Sequence, residues 1–96
     1  MDTDAAVLKE AAAAVLSIDL RYRKADALGQ RAMRADRDVA FSAYAKARRR
    51  LLAEGVVCTT EDVRTMQALR DDVRRARNTQ SLLIASGRVA KFLLSL

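Results

Sequence analysis

The stretch RRRLLAEGVVCTTEDVRTM, Arg48 to Met66, decides the fold. Three arginines sit where a helix C-terminus favours cations, and Gly55 can take the left-handed position that closes such a helix. Thr59 or Thr60 then caps a second helix, with Glu61 and Asp62 in its first turn, where anions are favoured. Val56 or Val57 plugs the turn with an apolar side chain. The stretch reads as helix, turn, helix.

Working outward, the chain offers little else that breaks a helix. It has no proline and only three glycines, Gly29, Gly55 and Gly87. That scarcity removes most turn chemistry and leaves no room for a sheet. The expected fold is all-α, one helical domain over 1–96, with helix 1 over about 3–54, a turn over about 55–59 and helix 2 over about 60–95.

Helix 2 carries Met66, Leu69, Val73, Ala76, Gln80, Leu83, Gly87, Ala90 and Leu94, stepping by three and four. This is a heptad seam, in which Gln80 is the polar member that fixes register. Beside it, from Leu82, runs a second seam of Leu82, Ala85, Val89, Phe92 and Leu96. Two adjacent seams make a face wider than one helix contact needs. Helix 1 carries Leu8, Ala11, Val15, Ile18, Tyr22, Ala25 and Gly29 on the same spacing, and then the stripe slips. An unbroken helix 1 would be about 75 Å long against about 54 Å for helix 2. A break near Gly29 would give a three-helix bundle instead. The extended antiparallel hairpin is preferred, because nothing else near Gly29 signals a turn.

Nineteen of the residues are alanine and four are aromatic, so each buried side chain contributes little area. Self-association adds burial, and both helix 2 seams are the expected homo-oligomer interface. The function that follows is a non-enzymatic structural or interaction module, a scaffold built on coiled-coil-like seams. A further protein partner is compatible with it.

Enzyme chemistry finds no foothold. The chain has no histidine, the commonest general base and metal ligand. Its single cysteine, Cys58, cannot build a zinc site, and no glycine-rich phosphate loop occurs. No catalytic residue, metal or cofactor is expected. The carboxylate pairs Asp36/Asp38, Glu61/Asp62 and Asp71/Asp72 lie among arginines and read as surface ion pairs, with Asp19–Arg23 and Asp71–Arg75 in the favourable i,i+4 order. Cys58 lies just before a helix N-terminus, which can lower a thiol pKa. It is read as a small apolar filler.

Eighteen Lys and Arg stand against twelve Asp and Glu, and fourteen of the eighteen are arginine. With the turn at Gly55, the basic runs 21–50 and 64–77 fall in the same half of the hairpin. A second reading follows, in which Arg48, Arg49, Arg50, Arg74, Arg75 and Arg77 bind the phosphates of nucleic acid non-specifically. A third takes LLIASGRVAKFLLSL, Leu82 to Leu96, as an interfacial helix on a membrane surface, with Arg88 and Lys91 toward headgroups. The acidic start MDTDAAVLKE does not resemble a signal peptide, and no segment reads as a membrane span, so a cytoplasmic setting is expected. LRDDVRRARNTQSLL, residues 69–83, resembles in passing the C-terminal helix of secretion-needle subunits. The proline-bearing turn of that family is absent, and nothing is carried over.

Overall fold

The structure, a computed structural model, describes residues 2–55 and 58–96. It is all-helical, with four helices and, among the described residues, no strand: α1 (Thr3–Lys24), α2 (Ala27–Glu54), α3 (Thr60–Arg75) and α4 (Thr79–Leu94).

The central junction forms as its residues dictate. Gly55 ends α2 at φ 63°, in the left-handed region. Thr59 caps α3 in a reciprocal capping box. Its hydroxyl accepts from the Asp62 N–H at 3.1 Å, and its own N–H donates to the Asp62 carboxylate at 2.8 Å. The expected apolar plug at Val56 or Val57 lies outside the described residues.

The two long helices of the extended hairpin are each divided. The first breaks at Ala25 and Asp26 rather than at Gly29. Ala25 and Asp26 take extended backbone, and the Asp26 side chain caps α2 by accepting the Gly29 N–H at 2.8 Å. Gly29 sits inside the first turn of α2. A Cβ there would lie 3.0 Å from the Ala25 Cβ and 3.2 Å from Asp26 Oδ1, so its small size lets the turn close on itself. The second break falls at Ala76 to Asn78. Asn78 caps α4 and forms a capping box with Ser81. Arg21 donates to the Val73 and Ala76 carbonyls, meeting backbone oxygens that the end of α3 leaves open. Polar side chains capping new helices thus outweigh the propensity of Ala and Arg to continue the old ones.

The breaks turn a rod into a bundle of 40 × 22 × 17 Å. α2 runs back along α1, as the Asp19–Arg37 pair and the bond from Gln30 to the Tyr22 carbonyl show. α3 runs parallel to α1: Cys58 meets Asp4, Arg70 meets Glu10, and Val73 and Ala76 meet Arg21. α4 runs parallel to α2, with Met33 near Leu82 at one end and Ala47 near Leu93 at the other. The most extensive packing is α2 on α4 and α1 on α3, while α2 and α3 lie diagonally apart without contact. The α1–α2 and α3–α4 turns therefore share one end of the bundle, and Gly55 and Thr59 lie at the other.

Of the nineteen buried apolar residues described, eight are alanines, which lets the backbones approach closely. The larger fully buried side chains are Ile18, Met66, Leu93, Val7, Val73 and Val89. They carry most of the apolar area per residue.

Candidate functional site

The bundle uses much of the expected oligomer interface inside a single chain. Met66, Val73 and Ala76 of the first seam are buried, and Leu69 is half-buried against them. Past the break the seam loses phase. Gln80, Gly87 and Leu94 are exposed, Leu83 is half-buried and only Ala90 is buried. Gln80 occupies the second position of α4, so a heptad count carried through Asn78 from α3 has no physical basis. The second seam sets the inner face of α4: Leu82, Ala85 and Val89 are buried, joined by Ser86 and Leu93, with Phe92 and Leu96 half-buried. The apolar face behind the membrane reading thus faces other helices of the bundle. No helix among the described residues is long and apolar enough to cross a membrane.

The six arginines assigned to phosphate binding do not form one surface. Arg48, Arg49 and Arg50 are exposed near the Gly55 end, and Arg74, Arg75 and Arg77 are exposed at the opposite end. Arg48, Arg49 and Arg50 lie on α2, which does not contact α3, and the turns at Ala25–Asp26 and Ala76–Asn78 make the bundle short enough for the two groups to sit toward opposite ends. Lys24, Arg31, Arg74, Arg75 and Arg77 share instead the end formed by the α1–α2 and α3–α4 turns, with Arg34 two turns along α2. The signal for this grouping is in the sequence, in Asp26 and Asn78 as helix caps, yet it carries no Gly or Pro.

Buried charge is paired and structural. The Asp19 carboxylate accepts from Arg37 and from Arg23, each at 2.8 Å, and Arg37 lies 4.7 Å from the centre of the Tyr22 ring. The Arg37 hydrogen bond, joined by Arg23, holds the Asp19 pKa below the ordinary aspartate value against the opposing effect of burial. Glu10, nearly buried, pairs with Arg70, which also bonds Asp71 at 3.1 Å. The expected Asp19–Arg23 pair forms, whereas Asp71 pairs with Arg70 instead of Arg75. Asp38 pairs with Arg37 at 3.0 Å and Glu61 approaches Arg64 at 3.8 Å. Asp19–Arg37 joins α1 to α2 and Glu10–Arg70 joins α1 to α3, while the other pairs lie within single helices.

Cys58 is buried, and its N–H donates to the Asp4 carboxylate at 2.6 Å. Burial, with the Asp4 carboxylate beside it, pushes the thiol pKa up to about 12. The position before a helix N-terminus therefore does not activate it. We expect a disulfide reagent at pH 8 to label Cys58 slowly in the native protein and at the rate of a free thiol in denaturant. Fast native labelling would show that the Asp4–Cys58 contact opens readily.

No group of three or more His, Cys, Asp or Glu that could hold a metal ion occurs among the described residues. No protein-family model, curated protein or solved structure matches the chain.

What remains outside the core is apolar surface. Leu16, Leu20 and Leu28 are 57%, 55% and 74% exposed. Leu16 and Leu20, with Ala12 and Ala13, lie on the side of α1 opposite buried Val7, Ala11, Ala14 and Ile18. Between Ala5 and Leu20 the outward charge on that side is Lys9. The middle of α1, Ala11 to Leu16, is apolar all round, the pattern of a segment covered on more than one side.

Proposed function

We propose that the protein is a non-enzymatic helical interaction module that associates with copies of itself. The observation behind this reading is the outward side of α1, where exposed Leu16 and Leu20 with half-buried Ala12 and Ala13 form an apolar strip beside Lys9. Small residues at its centre let a second helix approach, and the two leucines supply the area. Each leucine contributes about 1.5–3 kcal/mol when fully covered. The site lies on α1, in place of the helix 2 seams that the chain packs internally.

Light scattering across low to high micromolar concentration tests the reading. The wild type should sediment and scatter as a dimer or larger. The double variant Leu16→Lys, Leu20→Lys should be monomeric with unchanged helicity, since both positions are exposed in the protomer. A wild type that stays monomeric at every concentration would remove the proposal.

A further inference from the structure

We propose that the end of the bundle formed by the α1–α2 and α3–α4 turns binds the phosphate backbone of nucleic acid. Lys24, Arg31, Arg34, Arg74, Arg75 and Arg77 are all exposed there. None has a carboxylate within ion-pair distance among the described residues. Of the acids toward this end, Asp26 is engaged in capping α2, Asp19 is held by Arg23 and Arg37, and Asp71 by Arg70. A depression lined by Arg21, Met33, Arg77 and Leu82 joins α1, α2, the α3–α4 turn and α4.

Structural needs account for only part of this charge. Lys24, Arg74 and Arg75 end α1 and α3, where the helix dipole favours cations. Arg31 and Arg77 have no such reason, because they lie beside the N-termini of α2 and α4, whose open N–H groups make the local field positive. Arg34, two turns into α2, donates to the Tyr22 hydroxyl at 3.3 Å. The first turns of α2 and α4 contain no acid. The first turns of α1 and α3, at the other end, carry Asp4 and Glu61 with Asp62. The helix ends offset one another at both ends of the bundle, two N-termini against two C-termini, so the excess of positive charge at this end comes from its side chains.

A polyanion with closely spaced charges satisfies that surface. Five of the six bases are arginines, whose planar fork bonds two phosphate oxygens at once. Duplex DNA presents one charge per about 1.7 Å of axis, so the 22 Å width of the bundle faces enough phosphates for all six. Leu28 and Ile84 are large apolar side chains exposed among these bases. Two such residues set apart on α2 and α4 make no continuous apolar face for a membrane, so nucleic acid is favoured over lipid. No pattern of base-reading residues accompanies the arginines, and binding should be independent of sequence.

Fluorescence anisotropy with a labelled random-sequence duplex of about 20 base pairs tests this. With about four to six phosphate contacts, affinity should fall roughly 10²–10³-fold between 50 and 200 mM salt. The triple variant Arg74→Gln, Arg75→Gln, Arg77→Gln should bind at least about tenfold more weakly at 50 mM and show a shallower salt slope. The triple variant Arg48→Gln, Arg49→Gln, Arg50→Gln, at the other end, should bind as the wild type does. If the first triple variant fails to fold by circular dichroism, the double variant Arg31→Gln, Arg77→Gln decides the same point. The proposal is overturned by an absence of salt-sensitive binding or by equal losses from both triple variants. It is equally overturned by tighter binding to phosphatidylserine vesicles or to polyglutamate than to the duplex.

Discussion

Replacing Ile18 with alanine should lower the free energy of unfolding by about 2–5 kcal/mol. Ile18 is 2% exposed, and it sits on the face of α1 that α2 and α3 both cover. Eight of the nineteen buried apolar residues are alanines, which have little side-chain length with which to fill a cavity, so the loss should not be recovered by repacking. A domain of this size is held by about 5–15 kcal/mol in total, so one methyl-rich side chain is a large fraction of it. Urea denaturation would show a lower midpoint with an unchanged slope. A shift worth less than about 1 kcal/mol would mean that the alanine core repacks, contrary to the close backbone contacts it makes.

The second large effect is expected at Asp19. Asp19→Ala leaves the Arg37 guanidinium, whose side chain is 27% exposed, without its carboxylate, and also removes the Arg23 bond. Breaking a fully buried pair costs about 3–5 kcal/mol, and access of Arg23 and Arg37 to water reduces this to about 2–3 kcal/mol. The same group shapes the acid limb of stability. Its folded pKa lies below the unfolded value near 3.9, so its contribution is complete above that value. It is lost as pH falls through the folded pKa. Asp19→Asn should therefore be less stable than wild type at pH 7 and should lose less stability on going to pH 3. Parallel pH profiles for the two proteins would show that Asp19 is not the acid-sensitive group.

The helical class, the Gly55 cap and the start of α3 were legible because each rests on strong local chemistry: a glycine at positive φ, a threonine cap and acids in the first turn. The inner faces of α1 and α4 were legible from spacing. The breaks at Asp26 and Asn78 were not, because a single capping side chain competes there with strong helix formers, and the contest is settled by tertiary partners such as Arg21 on the end of α3. Missing those breaks changed the length of the body and so the share of it that the charges span. A rod places Arg48 and Arg75 on one half, whereas the bundle places them at opposite ends. The outward strip of α1 was hidden for a different reason. An alanine-rich helix shows almost no preferred side, so only the positions of α2 and α3 reveal that Leu16 and Leu20 face away.

The diagonal placement of α2 and α3 also governs how the chain must assemble in time. The richest packing joins α1 to α3 and α2 to α4, elements about fifty residues apart in the sequence, while α3 and α4 hold each other more weakly. Closing a loop of that length costs about 1.4 kcal/mol more entropy than closing one of ten residues. α1 and α2 pack well as neighbours, but α3 and α4 hold each other too weakly to wait in a native form for them. Folding should be a single concerted event, slower than in bundles whose helices pair with their neighbours along the chain.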